Sequence, residues 1–243
     1  MMKKYFIKHK LAIGDITHLS DSDSELILSG KEAHIEDIVE IETYEKIFLG
    51  QITDISKNSV EVEIIEEKGT RDTKYVPSIT IIQSLSNDSK FNYFIEKSVE
   101  IGIEKIIPVE TKYSLKNKKK ALKDYPLWNK IVKDATEQSR NIFPTIIEKP
   151  LNMEELAKYQ FENNSIKICL ATENVPTKYL SDIVIDSRPV YIAIGPEKGW
   201  SSSDIDILKR LGFQFIQLKG NILRTETTGL VIGSIIKYIK GEI

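Results

Sequence analysis

The chain has 243 residues, a hydrophobic content of 41% and a net charge of −2 at pH 7. This length suffices for one large domain or two small ones, and the hydrophobic content supports a substantial core. No apolar run approaches the roughly 20 residues that span a bilayer, and the N-terminus does not resemble a signal peptide, so we expect no membrane partner. The single cysteine, Cys169, rules out an internal disulfide and fits the reducing cytoplasm.

Charge is divided unevenly along the chain. Residues 1–72 carry 9 Lys and Arg residues against 16 Asp and Glu residues, whereas residues 73–243 carry 25 against 20. Such a split suggests two domains with different partners. The basic excess is concentrated in one segment, at Lys112, Lys116, Lys118, Lys119, Lys120, Lys123, Lys130 and Lys133. This cluster is suited to neutralising phosphates, and a solvated lysine loop explains it equally well.

Residues 1–72 have the pattern of a small β domain. Residues 59–64 alternate with period two, so Val60, Val62 and Ile64 are expected to face a core, and residues 46–52 form the partner strand. Short strands near residues 5–7 and 26–28 complete a small barrel. Residues 68–72 are predicted to be a linker.

From residue 73 onwards the pattern changes to alternating strands and helices. Strands are predicted at residues 79–82, 105–109, 166–171, 190–194 and 213–218, and helices around residues 91–99, 128–139, 201–212 and 227–240. Ser201 with Asp204 forms a capping-box pattern, and Gly102 and Gly212 are helix stops. This alternation predicts an α/β fold, with a parallel sheet covered by helices on both faces.

Two loops in this region contain the residues that suggest a ligand site. The strand at 190–194 runs into Gly195-Pro196-Glu197, and the strand at 213–218 runs into Gly220 and then Arg224-Thr225-Glu226-Thr227. The carboxyl ends of neighbouring parallel strands are where an open α/β sheet places its ligand. Neither loop has the glycine fingerprint of a dinucleotide site or the Gly-Lys-Ser/Thr of a phosphate loop.

Two interpretations of Arg224 and Glu226 remain open from the residues alone. Both lie at the start of the last helix, where a capped helix with an Arg224–Glu226 ion pair is one explanation. The other places them beside a reacting base, since arginine binds planar anions and glutamate accepts protons. His9, His18 and His34 have no spaced partners that suggest a metal, so we expect no metal site.

Together, the two loops resemble the bacterial 16S ribosomal RNA uridine-N3 methyltransferases of the SPOUT superfamily. The resemblance lies in Ile194–Glu197, Gly199, Ser201, Leu218 and Asn221–Thr227, and extends to Glu96-Lys97, Glu100, Gly102, Pro108, Ser114 and Glu137-Gln138-Ser139. The chain departs from the family pattern where Lys198 and Lys219 replace glycines and Trp200 replaces phenylalanine. Any left-handed backbone angle at those two glycines must then be taken up elsewhere.

The resemblance implies an N-terminal PUA-like β-barrel (residues 1–72) and a SPOUT α/β trefoil-knot methyltransferase domain (residues 73–243). It implies S-adenosylmethionine as cofactor, 16S ribosomal RNA in the small (30S) subunit as substrate, and a cytoplasmic homodimer. Residues implied to line the cofactor are Leu170, Ala171, Thr172, Glu173, Ile194, Gly195, Pro196, Glu197, Gly199, Leu218, Gly220, Asn221, Ile222, Leu223, Arg224 and Thr225. Candidate RNA contacts are Lys112, Lys116, Lys118, Lys119, Lys120 and Arg140.

The implied reaction methylates N3 of uridine, a weakly acidic imide that is a poor nucleophile while protonated. Arg224 would stabilise the deprotonated ring, and Glu226 is the candidate base or orienting group. Two alternatives remain open: a ribose 2′-O RNA methyltransferase, and a non-catalytic RNA-binding ribosome-assembly factor.

Overall fold

A computed structural model describes residues 3–7, 9–30, 33–43, 45–56, 59–70, 79–139, 141, 144–171 and 175–243. The chain divides into two compact units, Met1–Tyr75 and Val76–Ile243. The predicted domain boundary between residues 72 and 73 lies outside the described residues. None of the described helices has the length and apolar character that a bilayer crossing requires.

The first unit is a five-stranded sheet with one helix. Its elements are β1 (Lys4–Phe6), β2 (Ile16–His18), α1 (Asp21–Gly30), β3 (Ile38–Glu42), β4 (Lys46–Ile55) and β5 (Val60–Thr70). The strand order is β1-β3-β4-β5-β2, and only the β1–β3 pair is parallel. Val60, Val62 and Ile64 are fully buried, as their alternation predicts. The long β4–β5 pair carries three register irregularities, which bend a sheet.

Two predictions for this unit are wrong. Residues 26–28 belong to helix α1 and not to a strand. A three-residue apolar run fits either structure, and the deciding signal is Ser20, whose hydroxyl accepts a hydrogen bond from the Asp23 amide at 3.2 Å and so caps the helix. The predicted linker at 68–72 is also wrong over residues 68–70, which continue β5, while 71 and 72 lie outside the described residues.

Over its described residues, the second unit is an eight-stranded parallel sheet with five α-helices. The strands are β6 (Ile79–Ser84), β7 (Lys105–Glu110), β8 (Ile146–Ile147), β9 (Leu151–Asn152), β10 (Ile166–Leu170), β11 (Lys178–Tyr179), β12 (Val190–Ile194) and β13 (Gln214–Gln217). The helices are α2 (Asp88–Glu100), α3 (Lys118–Ser139), α4 (Met153–Leu156), α5 (Ser202–Arg210) and α6 (Thr225–Ile239). The strand order is β11-β13-β10-β12-β6-β7-β8, with β9 also paired to β7.

Helices cover both faces of this sheet, as predicted. Successive strand residues point to opposite faces, so Ile81 packs with α2, α3 and α6, whereas its neighbour Ile82 packs with α4 and α5. Cys169 is fully buried on the second face. Helix α6 begins at Thr225, two residues before the predicted start, because Arg224 is the extended residue that caps it.

Helix α6 approaches α2 closely through glycines. A Cβ at Gly229 would lie 2.8 Å from the Phe94 ring and 3.3 Å from Gln83 Oε1. Phe94 is itself buried at 1% exposure, so its ring has no space into which it can retreat. Glycine is therefore required by packing at this point, despite its low helix propensity.

We expect Gly229→Ala to lower the free energy of unfolding by about 1–2 kcal/mol, because overpacking outweighs the roughly 1 kcal/mol gain in helix propensity. Urea unfolding followed by tryptophan fluorescence measures this, since both tryptophans, Trp128 and Trp200, lie in the second unit. Ser234→Ala, on the same helix at a half-buried position, is the control and should change stability by less than about 0.5 kcal/mol. A stabilising Gly229→Ala would contradict the packing argument.

Candidate active site

A cavity of about 730 Å³ opens at the carboxyl ends of β10, β12 and β13. Its walls are formed by the ends of these strands, the loop after β12, the loop after β13 and the first turns of α2 and α6. All predicted cofactor residues in the described part of the chain line this cavity: Leu170, Ala171, Ile194, Gly195, Pro196, Glu197, Gly199, Leu218, Gly220, Asn221, Ile222, Leu223, Arg224 and Thr225. Thr172 and Glu173 lie outside the described residues.

The loop after β12 is held by Trp200. Its indole Nε1 donates a hydrogen bond to the Leu170 carbonyl at 2.9 Å, which ties the loop to the end of β10. The same atom would lie 2.9 Å from a Cβ at position 195, so the close approach requires Gly195. The loop then enters α5 through the predicted capping box, in which the Ser201 and Asp204 side chains each bond the other's amide.

The two lysines that replace family glycines cause no backbone strain. The left-handed angles are taken by the next residue in each loop, with φ of 75° at Gly199 and 109° at Gly220. Lys198 and Lys219 keep negative φ values, which any residue adopts. The Lys219 ammonium lies 4.6 Å from the centroid of the Tyr179 ring, a cation–π distance. Both substitutions therefore change the charge beside the cavity and leave the loop geometry intact.

A buried hydrogen-bond relay joins both loops to the central strand of the sheet. Gln83, at the end of β6, donates from Nε2 to Thr225 Oγ1 at 3.0 Å, and Thr225 Oγ1 donates to the Gly195 carbonyl at 2.6 Å. Gln83 is 1% exposed and Thr225 is 7% exposed. Because these polar groups are removed from water, each bond is expensive to lose, and the relay fixes the first turn of α6 against the Gly195 loop.

Arg224 and Glu226 do not form the ion pair that one interpretation expected. No carboxylate of the described residues lies within 4 Å of the Arg224 guanidinium, which is exposed and lines the cavity. Glu226 is buried at 8% exposure, does not line the cavity, and its Oε2 has no hydrogen-bond partner among the described residues. A buried, unpartnered carboxylate oxygen is costly, and this cost makes a purely structural role for Glu226 a poor explanation.

Four cavity residues were missed from the sequence: Lys90, Trp200, Gln217 and Thr228. Lys90 lies on the first turn of α2, and its ammonium forms an ion pair with Glu197 of the loop after β12. The sequence offered one signal for Lys90: it is a basic residue in the first turn of a helix, where the helix dipole favours acidic residues. That signal does not identify a partner 107 residues away.

The candidate RNA contacts fall into two groups. Lys112, Lys119 and Lys120 are exposed. Lys116 is paired with Asp88 and Asp124, and Lys118 with Glu155, so these two lysines are neutralised within the protein. Arg140 lies outside the described residues.

Comparison with known proteins identifies the family. A profile of the RNA methyltransferase domain matches residues 74–237, a range that includes both loops of the cavity. The chain belongs to this family.

Relatives in the family cover nearly the whole chain. Ribosomal RNA small subunit methyltransferase E of Aquifex aeolicus is 31% identical over 79% of this chain and 81% of its own length. The protein of the same name from Buchnera aphidicola is 28% identical over 98% of this chain and 94% of its own. A crystal structure of ribosomal RNA small subunit methyltransferase E from Neisseria gonorrhoeae bound to S-adenosyl methionine superposes with a TM-score of 0.77 at 25% identity, covering 99% of this chain and 98% of that one.

We expect Thr225→Val to lower the free energy of unfolding by about 2 kcal/mol, because it leaves the Gly195 carbonyl and Gln83 Nε2 buried without this partner. Urea unfolding is again the measurement. Thr228→Val is the matched control: its hydroxyl donates to the Arg224 carbonyl at an exposed site, and its loss should cost less than about 0.5 kcal/mol. Equal losses of stability in the two variants would show that the buried relay contributes no more than the exposed hydrogen bond of Thr228.

Proposed function

We propose that this protein transfers a methyl group from S-adenosylmethionine to N3 of a uridine in 16S ribosomal RNA of the small ribosomal subunit. The observation that carries the proposal is the single cavity that both motif loops build at the carboxyl edge of the sheet. Family membership supports RNA methylation, the names of the full-length relatives support the small-subunit substrate, and the Neisseria gonorrhoeae structure supports the cofactor.

The cavity suits S-adenosylmethionine in size and chemistry. About 730 Å³ is within the usual 300–1,000 Å³ of small-molecule sites. The backbone groups of residues 220–223 make no hydrogen bond to another described backbone group, so they are available to an adenine or a carboxylate. Leu170, Ile194 and Leu218 supply apolar surface. When bound, the cofactor supplies a methyl group activated by its sulfonium charge.

Arg224 is the group best placed to activate the uridine. Loss of the N3 proton spreads negative charge over O2 and O4 of the ring. The Arg224 guanidinium is charged at all working pH values, has no competing carboxylate among the described residues and lines the cavity. A fixed cation beside developing charge stabilises the transition state without reorganising at the moment of reaction.

Glu226 is proposed to act in the same step as a base or an orienting group. It lies two residues after Arg224, on the turn that the Thr225 relay holds in place. Its unpartnered Oε2 is a free acceptor for a proton or an N–H. Because Glu226 is buried, an N–H of the substrate can reach it only in the substrate complex.

We expect Arg224→Ala to reduce kcat on small-subunit particles by about 10²–10³-fold, the range found when one preorganised charge-stabilising donor is lost. Dissociation of S-adenosylmethionine, measured by calorimetry, should change by only a few fold. Glu226→Gln should lower kcat at least tenfold, since it removes the acceptor charge at constant volume. Arg210→Ala, an exposed arginine at the end of α5, is the control for charge loss.

Nucleoside analysis of the methylated RNA identifies the product. If the product is methylated at a ribose 2′-hydroxyl, the N3 assignment is wrong. If the wild-type protein binds the cofactor or RNA but transfers no methyl group, its role is binding and not catalysis. Full activity in both Arg224→Ala and Glu226→Gln would remove these residues from the mechanism.

The remaining parts of the proposal concern architecture. We propose that the bent sheet of the first unit closes into a PUA-like barrel that helps to hold RNA, and that the segment from Gly195 to α6 is tied in a trefoil knot. The relay that pins α6 beneath the Gly195 loop supports the latter. A cytoplasmic location follows from the ribosomal substrate.

We also propose a homodimer. Helix α6 exposes Ile235, Tyr238 and Ile239 on one face, at 37%, 73% and 49% exposure, a spacing that places all three together. Apolar side chains clustered in this way are typical of an interface.

We expect Ile235→Lys with Tyr238→Asp to give a monomer in light scattering after size exclusion, because charges replace the centre of the apolar face. Methyl transfer should fall with dimer content. Ile146→Lys, at a 53% exposed position on the edge strand β8, is the control and should leave the mass unchanged. An unchanged mass in the double variant, or a monomeric wild type, would contradict this interface.

A further inference from the structure

Helix α3 presents a row of lysines to solvent. Its buried face consists of Ala121, Trp128, Val132, Ala135 and Thr136. At 100° per residue, Lys119, Lys123 and Lys130 lie within about 40° of one another on the opposite side, and all three are exposed. Lys120 and Lys133 flank them. The three lysines span about 17 Å along the helix at 1.5 Å per residue.

The charge of this face is not neutralised by the protein. Within the described residues, no carboxylate oxygen lies within 4 Å of the ammonium groups of Lys119, Lys123 or Lys130. The neighbouring Lys116 and Lys118 behave differently, since both are held in ion pairs. Burial alone would lower the pKa of Lys116, but hydrogen bonds to Asp124 and Asp88 outweigh it and raise that pKa. The lysines of this segment therefore divide into an internal pair and an outward row.

The outward row has an energetic cost in the free protein. The first turn of α3 holds lysines and no acidic residue, although the Glu110 carboxylate accepts a hydrogen bond from the Lys118 amide at 2.7 Å and supplies negative charge at this helix end. Lys119 and Lys123 are also like charges at i and i+4, which destabilises a helix by a few tenths of a kcal/mol. The acidic residues of the outer face, Asp134 and Glu137, are confined to its far end. An anion bound along this face would relieve the repulsion between Lys119 and Lys123.

The row begins at the same edge of the sheet as the cavity. Helix α3 follows the carboxyl end of β7, and β7 lies two strand positions, or about 10 Å, from β12. The Lys116–Asp88 ion pair ties the start of α3 to the first turn of α2, the turn that also carries Lys90 into the cavity wall. A polyanion that lies along α3 therefore reaches the cavity mouth.

We propose that Lys119, Lys123 and Lys130 form a phosphate track that holds the RNA substrate and directs it to the cavity. This rests on the proposed function for the identity of the substrate, and extends it by assigning the contact surface. The track predicts that Lys119, Lys123 and Lys130, and not the paired Lys116 and Lys118, carry the salt-sensitive part of RNA affinity.

The test is the salt dependence of binding to 16S ribosomal RNA by the full chain. Each lysine that displaces counterions from the RNA contributes about one unit to the slope of log Kd against log salt concentration. The triple variant Lys119→Gln/Lys123→Gln/Lys130→Gln should lose about two to three units of slope and bind at least tenfold more weakly at low salt. Its S-adenosylmethionine affinity and its kcat at saturating RNA should remain those of the wild type.

Two further variants control the interpretation. Lys149→Gln/Lys158→Gln/Lys209→Gln changes the net charge equally, using exposed lysines outside the α3 face, and should keep the wild-type slope. Arginine at the three track positions should restore it, since the charge is retained. Melting temperatures of all variants verify that each is folded.

An unchanged slope in the track variant, or an equal loss in the control variant, would overturn the proposal. It would also be overturned if the track variant lost binding to phosphatidylglycerol vesicles while keeping wild-type RNA affinity. A wild type that binds RNA but transfers no methyl group would instead refute the proposed function, and the binding slopes would still decide the track.

Discussion

The hydroxyl of Thr225 is the contact on which the geometry of the site depends. It accepts from Gln83 on the central strand β6 and donates to the Gly195 carbonyl, so three elements far apart in the chain meet at one oxygen atom. In the loop after β13, the backbone groups of residues 220–223 make no hydrogen bond to any other backbone group that the structure describes. The loop is positioned because β13 holds one end and this hydroxyl holds the other. The cavity is thus preorganised by its ends, while its lining backbone stays available to a ligand.

Small residues make this arrangement possible. Gly195 admits the Trp200 ring beneath the first loop, and Gly229 admits Phe94 and Gln83 beneath the first turns of α6. The tryptophan, which replaces the phenylalanine of the family pattern, adds a hydrogen bond from its N–H to the end of β10. The substitutions Lys198 and Lys219 are tolerated because Gly199 and Gly220 take the left-handed angles. Lys198 and Lys219 therefore alter the charge beside the cavity, whereas the buried Trp200 adds a contact inside the loop.

Sequence periodicity predicted the longer strands and helices of the second unit, because these strands are buried on both faces and these helices have apolar stripes. It missed the two-residue strands β8, β9 and β11 and the one-turn helix α4, which are too short to show a period. The β-branched run Ile79–Ile82 fits a buried strand. The helical spacing of Phe91, Phe94, Ile95 and Val99 fits a helix. The first unit was less predictable. The run at residues 26–28 fits strand or helix, and only the Ser20 cap distinguishes them. In the site, the residues of the motif loops themselves were predictable, whereas Lys90 comes from an element 107 residues before its partner Glu197. Such contacts depend on tertiary structure, which local pattern does not encode.

Glu226, which is buried, and the exposed lysines of α3 share one physical feature. Glu226 Oε2 has no hydrogen-bond partner, and Lys119, Lys123 and Lys130 have no ion-pair partner, among the described residues, and each of these groups lowers stability for that reason. The paired Lys116 and Lys118 show that this segment has carboxylates available where neutralisation serves the fold. Helix α3 begins at the edge of the sheet where the cavity opens, and the first turn of α6 forms part of the cavity wall. An RNA strand would supply phosphates to the lysines at the surface and a base to the cavity. Binding energy gained along the helix is then available to place the base at Arg224.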